Sequence, residues 1–505
     1  MPAKTVMIQG TASSVGKSIL VAGLCRIFHQ DGLKVAPFKS QNMALNSFVT
    51  REGGEIGRAQ AVQAEAAGIE PSIHMNPILL KPEADARSQI VVLGKVARNL
   101  KASQYYGYTP KLLNIIKESL NQLLADYDII VIEGAGSPAE VNLKKREIAN
   151  MRIAAMARAP VLLVGDIDRG GVFASIVGTM ELLDKKERDL IKGFIINKFR
   201  GDLKLLKPGL SMLEKRTGKP VLGVIPYFRD IAIAQEDSVY LDERQIASAN
   251  GSLDVVVVRL PHISNYDDFD PLEEHGCDVR YVSNAREIGT PDLLILPGTK
   301  STIADLAYLR QKGLAPVIIS LAQSGVPLIG ICGGFQMLGN SIVDPDRVES
   351  RLDSIDGLGL LKITTTFNNN KTTTQVKGRV QAVQGLFKGL EDIDVTGYEI
   401  HMGQTENNYC RPAFHITETP QGQADYFDGA VSHDGFVFGT YMHGLFHNTE
   451  FTRRLLGRLR QLRGLPAAWT TSINKQEMYD KLADIIRPNI DMSRIYQIIF
   501  RRNHG

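Results

Sequence analysis

Six short runs within residues 5–226 are apolar at consecutive rather than alternate positions: Thr5–Gln9, Val35–Phe38, Asp128–Glu133, Pro160–Asp166, Lys192–Asn197 and Pro220–Pro226. A strand with one wet face alternates apolar and polar residues, whereas a strand covered on both faces does not. These runs are therefore expected to lie side by side in a parallel sheet with helices over both faces. Helical stretches separate them, the first reaching to about His29. That alternation predicts a doubly wound α/β domain over residues 1–235.

At 505 residues the chain is too long for a single core. The pattern breaks over Gln235–Gly251, which is polar and has no strand period, so 236–252 is read as a linker. A second alternating series then begins with Asp254–Leu260, Asp292–Pro297 and Pro327–Cys332, predicting a second α/β domain over 253–450. Within it, Ile363–Val383 is rich in Thr, Asn and Val and reads as antiparallel strands with an exposed loop. Gly435–Met442 reads as a strand. Residues 451–505 read as a helical C-terminal extension, with a basic amphipathic helix at Arg453–Arg463 and another helical stretch at Lys475–Phe500.

Composition narrows the function classes. A formal net charge of +3, from 58 basic and 55 acidic residues, gives no footprint for nucleic acid or an anionic membrane. No segment approaches the roughly 20 apolar residues of a spanning helix, and the opening MPAKTVMIQG has no apolar leader core. Cys25, Cys277, Cys332 and Cys410 lie far apart with no CxxC spacing, so neither a disulfide framework nor a zinc site is expected. A cytoplasmic protein with small-molecule partners is the expectation, its oligomeric state left open.

Two constellations carry chemistry. In QGTASSVGKSIL, an apolar strand runs into a glycine-rich turn and then a helix. Such a turn aims backbone N–H groups at an anion, and the helix dipole adds to the attraction. Gly16, Lys17 and Ser18 stand as in a phosphate-binding loop: Lys17 reaches the β- and γ-phosphates and Ser18 offers its hydroxyl to Mg²⁺. Gly10 comes one position earlier than the common pattern, with Thr11 in the expected glycine position. Glu133 closes an apolar strand at its carboxyl end, where ligands bind in open α/β sheets, and is the candidate Mg²⁺ ligand. Asp166, Asp168 and Asn197 end other strands; the acids could serve metal or substrate, and Asn197 could face a nucleotide base. ATP with Mg²⁺ is the implied pair.

The second constellation is Gly330-Ile331-Cys332-Gly333-Gly334, between the strand PLIGI and a helical run. A nucleophile on a tight strand-to-helix turn needs small neighbours, and the helix start favours thiolate. The N–H of Gly333 and that of Gly298, in the Leu296-Pro297-Gly298-Thr299 turn, are candidate oxyanion donors. His443, directly after FVFGTYM, is the candidate base.

The shifted loop resembles the GTxxxxGK[ST] variant of dethiobiotin synthetase and the corrinoid-amidating enzymes, in which Gly10 and Thr11 would together replace the usual first glycine. The second half is similar to the class I glutamine amidotransferase domain. There the histidine is generally followed two residues later by an orienting glutamate; here that position is Leu445, as in the corrinoid-amidating branch. Glu399 and His401 in GYEIHMG are candidates for orienting His443. APFKSQNMALNS (36–47), LLKPEADARSQIVVLGK (79–95), GDIDRGGVFAS (165–175), RLPHISNYDDFDPL (259–272), GYEIHMGQT (397–405) and GTYMHGLF (439–446) resemble signatures of the cobyric acid synthase family. The resemblance implies ATP- and glutamine-dependent amidation of the b, d, e and g propionates of adenosylcobyrinic acid a,c-diamide, with no tightly bound organic cofactor. Lys39, Gln41, Asn42 and Lys81 are candidate substrate or phosphate contacts.

Three other readings compete. The sister enzyme amidating the a and c carboxylates shares both constellations but is not expected to carry APFKSQNMALNS. A partitioning-type ATPase would need a lysine near the loop start, and positions 11–16 have none. A non-catalytic scaffold leaves the cysteine turn unexplained.

Overall fold

The computed structural model describes residues 3–83, 87–101, 109–228, 252–407, 409–466 and 474–500. The expected linker therefore lies outside the described residues, apart from Ser252.

All six apolar runs enter one parallel sheet, in the order Val221–Pro226, Ile191–Phe199, Val161–Asp166, Lys4–Gly10, Ile129–Glu133, Val35–Phe38. Its first strand shows why the runs are apolar throughout. Met7 packs into one core with the helix Thr109–Asp126, while Val6 and Ile8 pack into another with the helix Lys17–Gln30. The sheet register sets Ile8 beside Glu133, Gly10 beside Val164 and Asp166 beside Asn197, so the carboxyl ends of four strands meet at one edge.

The second parallel sheet runs Asp278–Val282, Asp254–Val258, Leu293–Leu296, Leu328–Ile331, Val437–Thr440, with Ala430–Val431 antiparallel at its edge. Beside it stands a mostly antiparallel sheet built on Thr364–Val380 and Asp394–Glu406. The loop expected inside 363–383 is instead continuous strand. The extra residues are absorbed by a register shift between Phe367 and Thr372.

A four-stranded sheet, Gln41–Met43, Ile78–Glu83, Arg87–Val92 and Lys95–Lys101, stands apart from both. Sequence reading did not separate it, because strands such as Ile78–Glu83 and Arg87–Val92 mix apolar and polar residues without a regular period.

The expected C-terminal extension divides between the two halves. Phe451, Leu455 and Leu459 of the helix Thr449–Leu462 join the core of the second sheet. Tyr479, Leu482 and Ile486 of the helix Lys475–Ile486, with Ile495 and Ile499 of Met492–Phe500, join the core under the first sheet. Arg26 and Asp480 add an ion pair at 2.7 Å. Leu482 is fully buried. Leu482→Ala is expected to cost about 2–5 kcal/mol of stability, measured as a lower thermal unfolding midpoint.

Candidate active site

The loop after Gly10 folds back over it. A β-carbon at Gly10 would stand 2.5 Å from Val15 Cγ2 and 2.9 Å from the Ala12 carbonyl oxygen, so the early glycine is a steric requirement of this loop. The Thr11 N–H donates to Val164 O at 2.9 Å. Gly16, with φ of 95°, opens the helix that carries Lys17 and Ser18. Lys17 Nζ donates to Ala12 O at 2.9 Å and Gly136 O at 3.3 Å, tying the loop to the turn after Glu133.

The other strand-end residues brace this loop. Asn197 Nδ2 donates to Val15 O at 2.9 Å, so its amide supports the loop backbone. Asp166 is paired with Lys198 and Asp168 with Arg200, each at 2.8 Å. Lys198 Nζ also donates to Ser14 O at 2.8 Å, a second lysine at the loop that sequence reading missed.

Glu133 is 1 % exposed and gathers three donors. Ser18 Oγ and Lys39 Nζ reach Oε1 at 2.8 and 2.9 Å, and Gln63 Nε2 reaches Oε2 at 2.5 Å. Burial favours the neutral acid, but the Lys39 cation and these hydrogen bonds outweigh it and hold the carboxyl below its usual range. A carboxylate beside a serine hydroxyl at a phosphate loop is a hard oxygen donor set, which suits Mg²⁺ completed by phosphate oxygens and waters. Among the described residues there is no group of three or more metal-ligating acids, histidines or cysteines.

The four candidate substrate contacts separate. Lys39 joins Glu133, and Gln41 lies half-buried on the following strand. Asn42, one residue on and so on the opposite strand face, is buried with Nδ2 donating to Gln60 Oε1 at 2.9 Å. Its amide is spent inside the protein, which corrects the expectation of substrate contact. Lys81 pairs with Glu55 at 2.6 Å and lines the cavity around Cys332, so it is not at the phosphate loop.

Cys332 follows the strand Leu328–Ile331 with φ 50° and ψ −107°, a left-handed backbone that costs a non-glycine residue about 1–3 kcal/mol. The turn is so close that a β-carbon at Gly334 would lie 2.0 Å from Leu296 O. Cys332 Sγ lies 3.5 Å from Ile400 O and within hydrogen-bonding reach of the His443 imidazole. The 297–299 turn runs beside both: a β-carbon at Gly298 would meet His443 Cε1 at 2.9 Å, and one at Gly333 would meet Thr299 Cγ2 at 2.6 Å.

His443 is oriented by Asp268, with Nδ1 2.6 Å from Oδ2, while the Gly444 N–H donates to Oδ1 at 2.8 Å. This corrects the proposal of Glu399 or His401. Glu399 accepts from the Tyr426 hydroxyl at 3.0 Å, and His401 stacks on Tyr441 with ring centres 3.7 Å apart. From the same strand Tyr398 stacks on His443 at 5.4 Å. Asp268 sits in the NYDDFD stretch, far from His443 in sequence; a search confined to neighbours of His443 misses it. Burial works against a charge on His443, but Asp268 and the Cys332 sulfur outweigh it and raise the imidazole to about 10. Asp268→Asn is expected to lower glutamine-supported turnover by roughly 10²–10⁴-fold, since it removes the group that fixes the ring tautomer; steady-state kinetics would measure it.

The Cys332 cavity is lined by Thr299, Gln336 and His443 and, from the four-stranded sheet, by Lys81 and Gln89. At that seam Glu55 bridges Lys81 and Lys371, the latter at 2.5 Å.

The profile of the CobQ/CobB/MinD/ParA nucleotide binding domain matches residues 6–239, and that of the CobB/CobQ-like glutamine amidotransferase domain matches 254–451. The chain is 60 % identical over 497 residues to the cobyric acid synthase of Dehalococcoides mccartyi strain CBDB1, covering 98 % of this chain and 99 % of that one. The cobyric acid synthases of Caldanaerobacter subterraneus subsp. tengcongensis and Sorangium cellulosum are each 54 % identical, covering 98 % and 99 % of this chain and the same shares of their own. The chain belongs to the cobyric acid synthase family. In this cobyric acid synthase relative, Lys17 and Glu133 lie in the nucleotide-binding match, and Asp268, Cys332 and His443 in the amidotransferase match. No described helix is long and apolar enough to cross a membrane.

Proposed function

We propose that the chain amidates corrinoid propionates with ATP and glutamine, taking adenosylcobyrinic acid a,c-diamide to adenosylcobyric acid at the b, d, e and g positions. The observation that carries this reading is one chain holding both a Lys17–Ser18–Glu133 phosphate site and a Cys332–His443–Asp268 triad.

Asp268 accepts the His443 Nδ1 proton's hydrogen bond and so leaves Nε2 for Cys332. His443 takes the thiol proton, and the thiolate attacks the glutamine amide carbon. The N–H groups of Gly333 and Gly298 stabilise the oxyanion. His443 then returns its proton to the departing ammonia, and water releases glutamate from the thioester. At the other site Lys17 and the loop amides hold the phosphates, so that the γ-phosphoryl group passes to a propionate oxygen. Ammonia displaces phosphate from the acyl phosphate and leaves the amide. Ser18 and Glu133 are the residues that would hold Mg²⁺, which when bound neutralises charge on the β- and γ-phosphate oxygens. Lys39 has then to leave Glu133 for phosphate or substrate. On this reading the protein works in the cytoplasm, without nucleic acid or membrane partners.

The test supplies cobyrinic acid or its a,c-diamide with ATP and glutamine, and omits each in turn. Amidation of the a,c-diamide that needs both is the expected result. Turnover of the unamidated acid alone would favour the sister a,c-diamide synthase and overturn the assignment.

A further inference from the structure

One short helix, Arg58–Ala66, touches both sites. Arg58, at its start, is 5 % exposed, with Nε 2.8 Å from Asp267 Oδ2 and Nη1 3.2 Å from Glu65 Oε1. The Asp267 contact is one of charge, without an aligned hydrogen bond at Nε. Five residues on, Gln63 donates to Glu133 Oε2 at 2.5 Å.

Asp267 precedes the Asp268 that holds His443. The two carboxylates are 3 % and 2 % exposed. Adjacent buried carboxylates stay ionised together only beside compensating cations. A second contact steadies the same imidazole: Asn265 Nδ2 donates to Ser47 O at 2.9 Å and to the Tyr398 hydroxyl at 2.7 Å, and Tyr398 stacks on His443. The charged and titratable groups acting on the carboxylate pair are Arg58 from the helix, His443, Tyr398 and Lys475 from the C-terminal helix, while Glu65, Tyr479 and His447 face Arg58; burial raises Asp267, and Arg58 opposes that rise.

We infer that Arg58 is a positioning residue for the triad, holding Asp267 across the seam so that Asp268 stays aimed at His443. The cysteine site is then incomplete without the nucleotide-binding half. This rests on the reading of Cys332 and His443 as the glutamine-hydrolysing pair.

Two single variants of the full chain give opposite signs. Arg58→Met strands Asp267 without its nearest cation, so the acid limb of the pH profile for glutamine-supported turnover should move up by about one unit. Below that limb the ratio of glutamine- to ammonia-supported turnover should fall about tenfold. Asp267→Asn, an isosteric change, removes the like charge beside Asp268 and should move the limb down. The double variant should lie between them, while Arg58→Lys should keep the wild-type limb. Limbs that do not move, or that move in one direction in both single variants, overturn the inference. If Arg58→Met is insoluble, the downward shift in Asp267→Asn decides alone. A wild-type enzyme that does not use glutamine would instead overturn the underlying function, so the two failures are distinguishable.

Discussion

Cys332→Ser is expected to abolish glutamine-supported amidation while amidation from free ammonium salts persists. The loss should be roughly 10⁴–10⁶-fold, as for removal of the nucleophile from a triad. A serine hydroxyl in this turn is nearly isosteric, but it titrates far above a thiol, and His443 cannot hold it as an alkoxide. The phosphate site lies on a different sheet, with its own strand-end acid, so acyl phosphate formation should continue. Ammonia supplied from solution would then replace the nitrogen that Cys332 releases. The measurement is corrinoid amide formation with glutamine or ammonium chloride as the nitrogen source. Equal loss with both sources would mean that Cys332 serves packing or phosphoryl transfer, and the two-site reading would fail.

Lys17→Ala should remove both activities. Lys17 is buried, and its ammonium bridges the loop at Ala12 and the turn at Gly136. It is also the group placed to meet charge as it develops on the transferring phosphoryl group, where one lost donor costs about 10²–10³-fold. Its truncation leaves two carbonyl oxygens short of a donor, so loop geometry is lost as well as charge. Glutamine and ammonium should fail alike, because both routes need the activated carboxylate. Hydrolysis of glutamine to glutamate should outlast the loss of amidation, and following glutamate separates the two sites. Lys17→Ala that still amidates from ammonium would move phosphoryl transfer away from this loop.

The strands and the two reactive turns were legible because each rests on local chemistry. Doubly buried strands must be apolar throughout, a phosphate loop must carry glycine and lysine at fixed spacing, and a strained cysteine turn must have small neighbours. Asp268 was not legible as the orienting acid. It reaches His443 only because the segment after Asp254–Val258 folds under the end of Val437–Thr440, a relation that spacing does not encode. Gln63, Lys198 and Arg58 were hidden for a similar reason, each acting from a neighbouring element. Asn42 was misplaced because a strand alternates its faces, and which face is inward depends on a sheet whose strands mix apolar and polar residues without a regular period.

The C-terminal helices have a consequence for how the chain is made. Residues 475–499 complete the core beneath the first sheet, yet they follow the whole amidotransferase half in sequence. Domains generally fold in the order they leave the ribosome. Here the first half emerges with the faces of Leu20 and Leu24 awaiting Leu482 and Ile486, and they stay uncovered until residues 475–499 have followed. A chain truncated before residue 475 should thus be a good substrate for chaperones and proteases, and that truncation should cost the nucleotide-binding half its core cover although the half's own residues are intact.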